Sequence, residues 1–169
     1  MSAPYWNLRA KVQDAVAAYL VSASSGEFIA SDDWAGSPTL IPVRVGFTAD
    51  LIEKYPMIAV IADKSGRYLP DAEVSQIDNT RLVALRVVVR TAAEQWNDAS
   101  SYTAAEDQHG ELVAKVMDLL NQDDILVQLA AVGIGDLTIQ QFDLMDESSQ
   151  VNENNLETTQ EIFVVAIPQ

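Results

Sequence analysis

The segment Arg81–Thr91, RLVALRVVVRT, constrains the fold more than any other part of the chain. Val83, Leu85, Val87 and Val89 alternate with Leu82, Ala84, Arg86, Val88 and Arg90. A period of two marks a β-strand, because successive side chains leave opposite faces of the sheet. One face is wholly apolar and the other carries two arginines, so cover is expected on one side only. At ~3.3 Å per residue the strand would run roughly 30 Å, longer than most.

The elements around it follow from the same periodicities. Residues 5–21 read as an amphipathic helix. Leu8, Val12, Ala15, Val16, Tyr19 and Leu20 form one stripe and Arg9, Lys11 and Asp14 the other. The run Ser22–Gly26 ends it. Short extended pieces fit Phe28–Ile29 and Ile41–Val45. Met57–Ala62 reads as a buried strand closed by the turn signal Asp63-Lys64-Ser65-Gly66. Residues 92–108 are polar, either a loop or the start of the next helix. HGELVAKVMDLLN, residues 109–121, is helical. Ile125–Val132 fits strand or helix. A strand follows at Leu137–Met145, and EIFVVAI at Glu161–Ile167 is a last buried strand. Between them Asp146–Thr159 is acidic and polar, and is expected to be a mobile loop. The order predicts an α+β fold: one mixed, mainly antiparallel sheet with two amphipathic helices packed on one face. At 169 residues, 1–169 is expected to be a single domain able to bury roughly 70% of its unfolded surface.

Charge restricts the partners. Residues 1–90 hold 10 Asp/Glu against 9 Lys/Arg, whereas residues 91–161 hold 15 against one, Lys115. Most of the formal −15 therefore lies in one continuous half. Such a surface repels phosphate and favours basic partners, including the arginine-bearing half of a second copy. No cysteine is present, so disulfides, thiolate metal sites and cysteine nucleophiles are excluded. No apolar run is long enough to span a bilayer, and no secretory signal pattern opens the sequence.

Catalytic and ligand-binding patterns are weak. His109 is the only histidine; beside Gly110, near an expected helix start, it reads as a surface or capping residue. A triad would need a positioned hydroxyl and an orienting carboxylate. The pairs Asp32–Asp33 and Asp123–Asp124 do not reproduce a calcium loop and read as solvated acidic surface. Gly133-Ile134-Gly135 is too short for a phosphate cradle and reads as a turn. No catalytic residue, cofactor or metal site is therefore expected. Arg86 and Arg90 share a strand face, opposite Arg81. They serve either a solvated or internally paired face, or ion pairs to the next subunit, with Asp146, Glu147 and Glu153 as candidate acceptors.

The succession YPMIAVIAD, RLVALRVVVRT, HGELVAKVMDLLN, LTIQQFDLM, an acidic stretch and EIFVVAIP resembles tailed-phage tail terminator (tail completion, neck) proteins. The resemblance is a pattern of elements from Tyr55 to Ile167; residues 27–54 have no counterpart in it. It implies a structural virion protein without catalytic residues. Such a protein forms a ring, typically a hexamer, at the head–tail junction of a bacteriophage. The ring caps the tail tube and joins it to the head-side connector proteins. DNA passes through without specific binding, no membrane is involved, and assembly takes place in the host cytoplasm. The charge-divided chain is compatible with this. Six globules of roughly 40 Å diameter leave a central gap about one globule wide, and an acidic lining would not grip the phosphate backbone. The alternatives are another neck or head–tail connector component, or an acidic DNA-mimic-type binding protein.

Overall fold

A computed structural model describes residues 8–30, 40–47, 49, 55–67, 80–92, 99–132, 137–152 and 155–168. Its elements are α1 (Leu8–Ala23), β1 (Phe28–Ala30), β2 (Ile41–Val45), β3 (Met57–Arg67), β4 (Arg81–Ala92), α2 (Ala99–Leu120), α3 (Ile125–Ala131), β5 (Leu137–Val151) and β6 (Asn155–Pro168). The strands form one sheet in the order β1-β2-β3-β4-β6-β5. β1, β2 and β3 run parallel, and β3–β4, β4–β6 and β5–β6 pair antiparallel. This is the expected α+β class with a mixed, mainly antiparallel sheet. The ambiguous segment 125–132 provides a third, short helix.

Alternation in β4 assigns the two faces. Val83, Leu85, Val87 and Val89 join Ile58, Val60, Ala62, Ile162, Val164 and Ala166 beneath α1, α2 and α3 in the main core. α1 contributes Leu8, Val12, Val16, Tyr19 and Leu20, as its spacing predicts. The Tyr19 hydroxyl donates to the Leu119 carbonyl, filling an acceptor in the last turn of α2. Ser24 ends α1: its hydroxyl donates to the Val21 carbonyl and accepts the Phe28 N–H at 3.0 Å. The turn then passes through Gly26 at φ 88°, a conformation glycine adopts without steric cost.

Four sequence expectations need correction. The second face of β4 is covered at one end, where Val88 packs with Ala49, Met57, Ala59 and Ile61 in a smaller core, while Leu82, Ala84 and Arg86 stay partly exposed. α2 starts at Ala99 rather than near His109, so of loop and helix the segment 99–108 takes helix. Asp63-Lys64-Ser65-Gly66 does not close β3; the strand continues through it with a register shift between Ala62 and Lys64. Finally, the described parts of the expected loop Asp146–Thr159 are mostly strand. Asp146–Val151 and Asn155–Thr159 are strand, pairing Ser148 with Thr159, Ser149 with Thr158 and Val151 with Leu156. Composition misled here because a ladder is closed by backbone hydrogen bonds, which polar side chains do not prevent.

Two glutamines support two of the irregular points of the sheet. At the β3 shift, Gln13 of α1 accepts the Ala62 N–H at 2.7 Å, and Arg9 donates to the Asp63 carbonyl at 3.2 Å. β5 shifts register between Leu144 and Glu147, and the Gln160 amide donates to the Met145 carbonyl at 3.1 Å. A bulge adds local twist and bends its strand, so this one sets the course of the outer hairpin arm. Replacing Gln13 by Leu leaves a backbone N–H without its acceptor. The expected loss is about 1–3 kcal/mol of stability, measured by urea unfolding.

Candidate functional site

The outer arm of the β5–β6 hairpin and the middle of α2 enclose a cleft of about 410 Å³. The helix supplies Glu106, His109, Gly110 and Val113. Their spacing of i, i+3, i+4 and i+7 places them on one helical stripe. The hairpin supplies Gln150 and Glu157 and, alternating with them, Glu147, Ser149 and Val151 from β5 and Leu156 and Thr158 from β6. The latter repeat every second residue and so share a sheet face. The β5 bulge precedes this stretch.

His109 is the pin between helix and arm. It is buried, contrary to the surface or capping position expected. The reason is the earlier start of α2, which moves residue 109 from the helix end to its middle. Its Nδ1 lies 2.8 Å from Thr91 Oγ1 on β4, and its Nε2 lies 2.7 Å from Thr158 Oγ1 on β6. Thr158 Oγ1 in turn is 2.8 Å from Ser149 Oγ on β5. A chain of four polar groups thus links β4, α2, β6 and β5. A neutral imidazole donates from one nitrogen and accepts at the other, and hydroxyls serve either need. Burial holds the His109 pKa below its ordinary 6.5. A hydroxyl, Thr91, stands where a catalytic triad would place a carboxylate on the imidazole. The arrangement fixes the arm in place.

Arg90 anchors the same arm from the opposite sheet face. It is only 8% exposed. Its Nε donates to Glu157 Oε2 at 2.8 Å, and Nη1 donates to the Ala49 carbonyl at 3.3 Å. Glu157 is its direct cross-strand neighbour on β6. Arg86 Nε lies 2.6 Å from Asp63 Oδ2, an ion pair within the subunit, although the N–H is not directed as in a hydrogen bond. Within the subunit both arginines thus meet a carboxylate, and Arg86 keeps a partly exposed side chain. Arg90 in particular is withdrawn from the surface, since a buried guanidinium needs a partner in its own subunit.

The remaining expected site residues are dispersed. Asp146 and Glu147 are exposed on the arm, and Glu147 lines the cleft. Glu153, Asp32–Asp33 and Gly133–Gly135 lie outside the described residues. Asp123 and Asp124 are exposed in the turn before α3, where Asp124 Oδ1 accepts from Gln128 at 2.5 Å. Among the described residues no group of three or more His, Asp or Glu side chains could hold a metal ion. No described helix is long and apolar enough to cross a membrane. The cleft is not legible in the sequence because its strand wall reads as an acidic loop and its helix wall begins in 92–108, which fits loop or helix. Had 99–120 and 146–159 been read as helix and strands, the Glu106–Val113 stripe would have been visible. No protein-family model matches the chain, and no curated protein matches it.

Two outcomes follow. His109 binds a proton less readily folded than unfolded, so stability should fall as pH drops from about 6.5 towards the lowered folded value. His109→Gln should lack that pH-dependent component, seen as a flatter difference curve in urea unfolding between neutral and mildly acidic pH. Separately, Glu157→Ala leaves Arg90 buried without its carboxylate. The expected cost is about 3–5 kcal/mol, read from the shift in denaturant midpoint.

Proposed function

We propose that the chain is a structural subunit of a ring, acting as a tail terminator at the head–tail junction of a phage virion. The observation that carries the ring is the placement of exposed apolar side chains at the two sides of the sheet. Val45 and Phe47 lie at the end of β2, beyond the last residue paired with β1, and Phe47 is 55% exposed. Leu126 and Val127 lie on α3, which packs against β5 at the other edge of the sheet, and Val127 is 69% exposed. α3 has a single polar residue, Gln128, in its sequence ILVQLAA, yet only Ile125 and Leu129 are buried. Large exposed apolar side chains grouped in this way mark interaction surfaces. The two patches differ, so joining one to the other is heterologous, and a heterologous contact that closes gives a ring.

The phage role is supported by the pattern of elements from Tyr55 to Ile167 and by the acidic second half, suited to a conduit that does not bind DNA. Tail tube and head-side connector proteins are the partners this role requires. Because Arg86 and Arg90 meet carboxylates within the subunit, the contact is proposed on the apolar patches.

A mixing experiment tests the ring. Phe47→Asp and Val127→Asp each destroy one patch, and each variant alone should sediment as a monomer under conditions where the parent protein assembles. Mixed, they share one intact contact and should form dimers that go no further. A mixture indistinguishable from the separate variants would refute the two-patch ring. Imaging of the particle should show the ring at the neck, and a single copy there would refute the terminator role.

A further inference from the structure

We propose that the cleft between α2 and the hairpin arm is a receptor for a lysine or arginine side chain presented by a different, basic protein. This goes beyond the ring reading and does not depend on it, because the occupant is not a second copy and the cleft is complete within one subunit.

The walls fit the two parts of such a side chain. Val113, Val151 and Leu156 give an apolar surface for an aliphatic stem, and Val151 is left 60% exposed. Long cationic side chains cover apolar surface with their stems while the head stays near water or an acceptor. Glu106 from the helix and Glu147 from β5 bring carboxylates to the opposite walls. Both are exposed, and neither has an ion-pair partner among the described residues. Ser149 adds a hydroxyl on the arm side. At about 410 Å³ the space suits a small ligand or a single inserted side chain.

The electrostatics select a cation. His109 lies in the floor and is held neutral by burial near neutral pH, so it adds no opposing charge. Arg90 is neutralised by Glu157. The molecule as a whole carries −15, which steers basic partners towards it. The occupant is also unlike this chain. Arg9, Arg44, Arg81, Arg86 and Arg90 each have a partner within their own subunit, and Lys115 pairs with Glu27 at 3.1 Å. With six of its ten basic residues committed in this way, and 25 acidic residues against those ten, a second copy is a poorer source of the cation than a basic protein.

The test uses the full chain, labelled with nitrogen-15, and four blocked amino acids: the N-acetyl amides of arginine, lysine, citrulline and norleucine. The cationic pair should move the amide resonances of Gly110, Ser149 and Val151 saturably, with millimolar affinity that weakens as salt rises. Citrulline and norleucine should not. Glu106→Gln combined with Glu147→Gln, with circular dichroism confirming an unchanged fold, should weaken cation binding at least tenfold. The proposal is overturned by equal shifts with citrulline, by unsaturable shifts spread over the acidic surface, or by undiminished binding to the double variant. It is also overturned if the double variant disperses a self-assembled form of the protein, since the occupant is then a second copy. Failure of the mixing experiment on the two apolar patches would leave these four results unaffected.

Discussion

The burial of β4, complete on its apolar face and confined to one end on the other, is the constraint on which the rest of the molecule depends. Its apolar face requires a complete helical layer, and α1, α2 and α3 supply it. Its second face carries Val88 into the smaller core but also carries Arg90. A guanidinium in that position must be met by a carboxylate, because an uncompensated buried charge is far costlier than a paired one. Glu157 meets it directly across the ladder. That contact couples β6 to β4 in one register, and a slip of one residue would exchange the faces of every β6 side chain.

The hairpin arm inherits its position from this register. With Glu157 facing Arg90, Thr158 must face the helices, where it meets His109. Ser149 then lies opposite Thr158, and the β5 bulge supported by Gln160 lets the arm take its own twist. Polar residues do here what leucines do elsewhere in the core. A satisfied buried hydrogen-bond chain adds little net stability per bond, but breaking any member leaves the others unpaired. The arm is therefore held by specificity of geometry more than by apolar area, which leaves Val151, Glu147 and Met145 free for other contacts.

The legibility of the chain varied with the kind of signal. Strong periodicity was readable: the β4 alternation, the α1 stripe and the apolar runs at Met57–Ala62 and Glu161–Ile167 all correspond to observed elements. Segments whose structure rests on partners were not. Residues 99–108 are helical without a strong apolar stripe of their own, and 146–151 and 155–159 form strands with few apolar residues. Asp63–Gly66 has turn-like composition, yet it is held in the sheet by β4, with Gln13 and Arg9 binding backbone at the shift.

The sequence by itself determined the α+β class, the identity of the central strand, the helix-covered face and the division of charge. These depend on side-chain period and composition, which are local properties. Only the tertiary structure decided that His109 is buried, that Arg90 belongs to Glu157, and that a helix and a hairpin meet at a cleft with acidic walls. Each of these joins residues far apart in the chain, from His109 to Thr158 and from Arg90 to Glu157. Their chemistry is written in residue types, but their meeting is set by strand register and helix docking, which no local pattern encodes.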